Sequence, residues 1–226
     1  MIDFSIVIPA KNEAIGLSLI LPELKKLYPQ SEILIINDGS TDNTLEVCTG
    51  HKVKVISHPY SMGNGAAIKT GARQAQRDII VFMDADGQHR PKDVLTLVTM
   101  LTGGYDMVVG ARSGNSQASL ARKMANFSYN KLASIMTGYK IKDLTSGFRV
   151  VRREKFIKFL YLLPNGFSYP TTSTMAFFRS GYSVAYYPIE AMQRKGKSHI
   201  SIVKDGFKFF TIILKVGALF SPMRLF

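Results

Sequence analysis

The chain has 226 residues, 46% hydrophobic and 20% charged, a balance that excludes a disordered or fibrous polypeptide and allows one large domain with a buried core. A single cysteine, Cys48, excludes an intramolecular disulfide and a zinc-type cysteine cluster. The net charge of +13 is unevenly divided: residues 1–111 hold 10 basic and 12 acidic side chains, whereas residues 112–226 hold 19 and 4. The second half is therefore suited to an anionic partner such as nucleic acid, a membrane surface or a phosphorylated substrate.

Met1 leads directly into a strand-like segment, with no signal-peptide pattern before it. Asp3 to Pro9 is an apolar run closed by proline and reads as a buried first strand. Asn12-Glu13 opens a helix in which Ile15, Leu19, Leu24 and Leu27 recur at roughly helical spacing. Glu32 to Asn37 is a second buried strand, ending in the turn cluster Asp38-Gly-Ser-Thr-Asp42, which also has helix-capping chemistry. Lys52 to Ser57 alternates as a third strand, Gly63 to Gln76 reads as a helix, and Ile79 to Met83 as a fourth strand. Pro91 marks a helix start, and Tyr105 to Val109 is a fifth strand. Strands alternating with helices predict a parallel, doubly wound α/β unit.

The second half changes character. Ser119 to Met136 is predicted as a long amphipathic helix carrying Arg122, Lys123 and Lys131, with further helices over Phe167–Arg179 and Ser198–Phe220 and a strand over Tyr182–Tyr187. In the last helix Lys204, Lys208, Thr211 and Lys215 fall on one stripe, and Ile202, Phe209 and Ile213 on another. Lys215 interrupts the best apolar stretch, so an interfacial helix is expected rather than a spanning one. The expected division is a catalytic domain over 1–197 and an amphipathic, membrane-proximal segment over 198–226.

Chemistry concentrates where strands end. Asp84 and Asp86 emerge together from the buried fourth strand, at the sheet edge where open α/β folds bind ligands. With the amide oxygen of Gln88 they offer hard oxygen ligands suited to Mg²⁺ or Mn²⁺, ions that bridge substrate phosphates. No Gly-x-Gly-x-x-Gly follows the first strand, no Walker lysine motif is present, and there is no Gly-x-Ser-x-Gly elbow. Acidic groups instead follow three strands: Glu13, Asp38 and the Asp84/Asp86 pair. Carboxylates accept hydrogen bonds from ribose hydroxyls and base N–H groups, a pattern that fits a nucleotide-sugar.

Four motifs in order, Ser5-Ile-Val-Ile-Pro-Ala-x-Asn-Glu13, Asn37-Asp-Gly-Ser-Thr-Asp42, Asp84-Ala-Asp-Gly-Gln-His89 and Asp143-Leu-Thr-Ser-Gly-Phe-Arg149, resemble family 2 glycosyltransferases. More narrowly they resemble the polyprenyl-phosphate enzymes related to dolichyl-phosphate mannose synthase, and Arg194-x-x-Gly-Lys-Ser198 continues the likeness. The resemblance implies a GT-A fold, a mostly parallel doubly wound sheet with flanking helices and C-terminal amphipathic helices. It also implies inversion at the anomeric carbon and a divalent metal at Asp84, Asp86 and Gln88. Pro9, Glu13, Asp38 and Asp84 then correspond to nucleotide contacts, and Arg112, Arg122 and Arg194 to phosphate-facing cations. Lys11 replaces a usual aromatic, Phe167–Thr172 lacks acidic residues often seen in the family, and His199 stands where a second basic residue often follows the Lys-Ser pair.

A lipid phosphate is already anionic near neutral pH, so catalysis reduces to placing it in line and neutralising the departing diphosphate. Asp86 serves the leaving group through the metal, Arg112 and Arg122 take the acceptor phosphate, and Arg194 with Lys197 takes the donor diphosphate or a closing loop. The expected activity moves a hexose from a UDP- or GDP-sugar to a polyprenyl phosphate at an anionic membrane surface. The expected site of action is the cytoplasmic face, peripheral, or anchored where a natural chain continues past Phe226. One alternative is a same-fold enzyme acting on a saccharide hydroxyl, against which stands the lack of a clear Glu-Asp base pair, Asp143 standing alone before Leu144. The other is a basic binding module with a dead site; nucleic acid is not expected, because Asp84 and Asp86 would repel its backbone.

Overall fold

The computed structural model describes residues 2–112, 120–166, 168–190, 192, 211, 215 and 218. Seven strands form one sheet in the order β3-β2-β1-β4-β6-β5-β7. They are β1 (Ser5–Ala10), β2 (Glu32–Asn37), β3 (Lys54–Ser57), β4 (Ile79–Phe82), β5 (Met107–Arg112), β6 (Arg149–Arg152) and β7 (Val184–Ile189). All run parallel except β6, which lies antiparallel between β4 and β5.

The helices are α1 (Ala14–Leu27), α2 (Thr44–Gly50), α3 (Asn64–Gln74), α4 (Asp93–Thr102), α5 (Leu120–Thr137), α6 (Arg153–Ile157) and α7 (Tyr169–Arg179), with a 3-10 turn at Leu160–Leu162. Successive strand residues point to opposite faces. Ile6, Ile8, Ile33, Ile35 and Val81 therefore meet α1, α2 and α4 on one side. Val7, Leu34, Ile36, Ile80 and Phe82 meet α3, α6 and α7 on the other. Burial on both faces explains why these strands read as continuous apolar runs rather than as alternations. A smaller cluster of Ala133, Met136, Met175 and Phe178 seats α5 on α7.

The doubly wound, mostly parallel expectation holds, and β6, a strand the sequence did not announce, lies between β4 and β5. Its sequence, Arg-Val-Val-Arg, begins and ends in charge and presents no apolar run. Arg149 is nevertheless wholly buried. The predicted segments at 3–9, 52–57, 105–109 and 182–187 begin a few residues before the observed strands. Of the predicted 198–220 helix, Thr211, Lys215 and Ala218 are described; they are helical and exposed. Among the described residues no helix is long and apolar enough to cross a membrane.

Candidate active site

The ends of β1, β2, β3, β4 and β5 converge on one edge of the sheet, where the parallel strands deliver their carboxyl-terminal loops. The loops after β1 and β2 are stitched together. Asn12 Oδ1 accepts the Thr41 N–H at 2.8 Å, the Glu13 N–H donates to Thr44 Oγ1 at 3.0 Å, and the Ala14 N–H donates to Asp42 Oδ2 at 3.2 Å. Glu13 is thereby held at the entrance to α1, whose Gly16 lies against the Ala85 carbonyl so closely that a Cβ would clash. Pro9 sits half-buried in β1.

Asp38 follows β2 and is buried. Its Oδ1 accepts from His58 Nδ1 at 2.7 Å and the Met62 N–H at 2.8 Å; its Oδ2 accepts from Ser61 Oγ and the Gly63 N–H, each at 2.9 Å. Burial alone would raise its pKa, but these bonds hold it below the usual carboxylate range. Four partners fill a carboxylate's acceptor capacity. In this arrangement Asp38 braces the 58–63 loop, and a ribose hydroxyl or base N–H would reach it only by displacing a partner. Lys11 joins the same knot through Ser61 Oγ at 2.9 Å.

The Asp84–His89 turn is shaped by Gly87, whose φ of 74° favours glycine. Asp86 is buried, and its Oδ1 accepts the Gln88 N–H at 3.1 Å. Gln88 also exchanges backbone and side-chain bonds with Met192, at 3.0 and 3.3 Å. Asp84 is 38% exposed at its side chain. Its carboxylate rests directly over Gly147, where an added Cβ would lie 2.6 Å from Oδ2. His89 accepts the Asp84 N–H on Nδ1 at 3.3 Å and stacks on Phe148 at 4.9 Å. Burial pushes its pKa down to about 4, against the opposing pull of Asp86, so the ring is neutral.

Two carboxylates with a glycine cradle beneath one of them, plus an amide oxygen on the same turn, form a hard-donor set that fits Mg²⁺ or Mn²⁺. Among the described residues no group of three His, Cys, Asp or Glu side chains is arranged for a metal. An ion here would therefore complete its shell from water and substrate phosphate.

Arg112 ends β5, and Asp143 grips it on two sides: Nε to Oδ2 at 2.9 Å, Nη2 to Oδ1 at 3.0 Å, with the Arg112 N–H adding 3.1 Å to Oδ2. Asp143 Oδ1 also accepts the Thr145 and Ser146 N–H groups at 3.1 Å. Burial opposes ionisation of Asp143, but the adjacent guanidinium overcomes it and holds the pKa low. Arg112 was expected to meet the acceptor phosphate; in the structure one edge of its fork already faces a carboxylate.

Sequence reasoning passed over Arg149. Its Nη1 donates to the Pro170 carbonyl, Ser173 Oγ and Thr174 Oγ1 at 3.1, 2.8 and 3.1 Å, and its Nη2 donates to the Ser146 carbonyl. All these acceptors are neutral, and the guanidinium lies 5.5 Å from the Tyr169 ring centre. Tyr169 in turn donates its hydroxyl to the Gly147 carbonyl at 2.8 Å. The chain Asp84–Gly147–Tyr169–Arg149 thus ties the acidic turn to the first turn of α7. The run of hydroxyls at Thr171–Thr174 was the available signal for a buried arginine. The side chain of Arg122, on α5, and all of Arg194 and Lys197 lie outside the described residues.

Residues 5–160 match the family described as Glycosyl transferase family 2. A polyprenol monophosphomannose synthase from Mycolicibacterium smegmatis is 29% identical over 205 residues, 84% of this chain and 77% of that protein. An undecaprenyl-phosphate 4-deoxy-4-formamido-L-arabinose transferase from Photorhabdus laumondii is 33% identical over 159 residues, 66% of this chain and 49% of that protein. The chain spans between about half and two thirds of the length of several curated relatives it matches. Among solved structures, glucosyl-3-phosphoglycerate synthase from Mycobacterium tuberculosis, in complex with Mn²⁺, UDP and glucosyl-3-phosphoglycerate, superposes with a TM-score of 0.78 at 19% identity. The overlap covers 96% of this chain and 80% of that one. At that identity the likeness shows the GT-A fold.

Proposed function

The chain belongs to glycosyl transferase family 2, and we propose that it moves a hexose from a UDP- or GDP-linked donor to a polyprenyl phosphate at a membrane surface. The observation that carries this reading is the engagement of Asp143. Transfer to a sugar hydroxyl needs a general base near the acceptor oxygen. Asp143, the carboxylate weighed for that role, has both oxygens committed to Arg112 and to backbone N–H groups. An acceptor that arrives as an anion needs no such base. The names of the mannose synthase and the undecaprenyl-phosphate transferase support the same acceptor class.

A phosphate oxygen of the lipid attacks the anomeric carbon, the bond from that carbon to the donor diphosphate breaks, and the nucleoside diphosphate leaves with the electron pair. Inversion follows from a single displacement. In this reading Glu13 and Pro9 line the nucleotide side, and Asp38 holds the loop that borders it. Asp84, Asp86 and Gln88 would hold Mg²⁺ or Mn²⁺, which supplies charge neutralisation for the leaving diphosphate. Arg122 would meet the acceptor phosphate beside Arg112, and Arg194 with Lys197 the donor. Residues 1–197 would form the catalytic unit, with 198–226 against the membrane.

The test incubates the purified protein with labelled UDP- and GDP-hexoses, Mg²⁺ or Mn²⁺, and a short-chain polyprenyl phosphate. Lipid-linked label is expected with one donor, and Arg122→Ala should weaken acceptor use while sparing nucleotide affinity. Label appearing on a saccharide hydroxyl acceptor and never on the lipid would refute the reading.

A further inference from the structure

The chain that leaves β7 turns back onto the acidic turn after β4 and fastens there. β7 is an edge strand, with Ile189 opposite Arg112 of β5, and β5 and β6 separate it from β4. Three strand spacings, roughly 14 Å, lie between β4 and β7, so pairing of neighbouring strands does not bring the two loops together. Yet the Met192 N–H donates to the Gln88 carbonyl at 3.0 Å, and Gln88 Nε2 donates to the Met192 carbonyl at 3.3 Å. Two residues away on each segment, Arg90 pairs with Glu190. Gln88 opposite Met192 and Arg90 opposite Glu190 is the register of an antiparallel contact, with the ion pair as the cross-strand neighbour of the Gln88–Met192 clasp.

We infer that Arg90 and Glu190 are positioning residues for the metal site and act on it through Gln88. This role rests on the reading that Gln88 holds the ion with Asp84 and Asp86. A carboxamide offers a metal its oxygen and not its NH₂ group. The amide is planar, and its nitrogen and oxygen leave the same carbon in diverging directions. An amide whose nitrogen is tied to a main-chain carbonyl therefore has the direction of its oxygen set as well, and Met192 supplies that carbonyl. Outer partners of this kind orient a ligand before the ion arrives. The main chain of Gln88 is anchored separately, through its N–H on Asp86 Oδ1 at 3.1 Å. The residue is thus tied to a neighbouring candidate ligand at one end and to the segment after β7 at the other.

The exposure of the pair decides the size of effect to expect. The Arg90 and Glu190 side chains are 31% and 72% exposed. A pair so open to water adds little to global stability, but it can bias where a short segment lies, by about two- to fivefold for the loss of one charge. Loss of the Met192 N–H acts on the clasp itself and should cost about tenfold, the lower end for an outer partner of a metal ligand.

Mn²⁺ binding to the full chain is measured by water-proton relaxation, without nucleotide, sugar or lipid. Arg90→Gln and Glu190→Gln should each bind Mn²⁺ about two- to fivefold more weakly than the parent, and Met192→Pro about tenfold more weakly. The reversed pair Arg90→Glu/Glu190→Arg should return to within about twofold of the parent. In a Gln88→Leu background the amide oxygen is gone, and Glu190→Gln should make no further difference, a result that a role elsewhere in the fold would not produce. Thermal melts of the two charge variants should match the parent, which keeps the test sound even where Met192→Pro fails to fold. If the parent binds Mn²⁺ and the charge variants bind it equally well, the positioning role is overturned while the metal site stands. A Glu190→Gln loss that persists undiminished in the Gln88→Leu background overturns it too. A parent that binds no Mn²⁺ at all refutes the metal site, and this inference with it.

Discussion

Asp143 closes on Arg112 from both of its carboxylate oxygens, so the cation at the end of β5 and the acid of the 143–149 segment form one unit. Removing one member of such a pair strands a charge. Arg112→Met or Asp143→Leu should each cost stability, toward the lower end of the roughly 3–5 kcal/mol typical of buried pairs because Arg112 is partly exposed. The double substitution should cost less than the two single losses combined. Urea unfolding of all four proteins measures this; strict additivity would show that the pair is not coupled.

The close seat of Asp84 on Gly147 makes a sharper prediction about catalysis. Gly147→Ala places a methyl 2.6 Å from Asp84 Oδ2 and must displace the carboxylate. A shift near 1 Å at a reacting group can cost about 10²-fold in rate. We expect kcat to fall by that order while the melting temperature changes little, because the Asp84 side chain is partly exposed. An unchanged kcat would remove Asp84 from the working site.

Asp86→Ala should lower kcat by about 10²–10³-fold, the scale seen when one stabiliser of developing charge is lost. It should also weaken Mn²⁺ binding measured by water-proton relaxation without nucleotide. Turnover in EDTA equal to turnover with Mg²⁺ or Mn²⁺ would overturn the metal assignment.

Arg149→Ala removes a buried cation that donates to four oxygens. Each lost bond to a charged group costs about 1.5–3 kcal/mol, so the variant should be severely destabilised. Arg149→Lys should not restore the wild-type melting temperature, since one ammonium cannot span Ser146 and Pro170 as the planar fork does. Full rescue by lysine would contradict the bridging role.

Acid should unfold the protein through its hydrogen-bonded carboxylates. Asp38 and Asp143 have folded pKa values below their unfolded ones, so their contribution is complete above the unfolded carboxylate value, near 4. It is lost as pH falls through the lower folded values, because the unfolded chain then binds more protons. Asp38→Asn should flatten the dependence of melting temperature on pH below that point. An unaltered slope would show that Asp38 is not ionised in the fold.

Much of this protein is legible in one dimension because its chemistry follows buried strands. Apolar runs ending in Asn37-Asp38 and Met83-Asp84 announce both the parallel sheet and the edge where ligands gather, since a strand buried on both faces needs no tertiary information to be seen. The metal-type turn Asp84–Gln88 is local, and the family resemblance over residues 5–149 rests on the same local motifs.

What needed the folded chain was pairing between distant segments. β6 enters between β4 and β5 although Arg149 masks its apolar pattern, and the hydroxyls of α7 together with the Pro170 and Ser146 carbonyls make that burial tolerable. Asp38 read as a nucleotide contact; that the loop at 58–63 folds back onto its carboxylate was visible only in the fold. Arg112 read as a phosphate-facing cation; that Asp143, far along the chain, pairs with it was visible only in the fold. Periodicity reports which face of an element is buried; which charge meets which is decided by contacts between residues remote in sequence, and these exist only once the sheet has assembled.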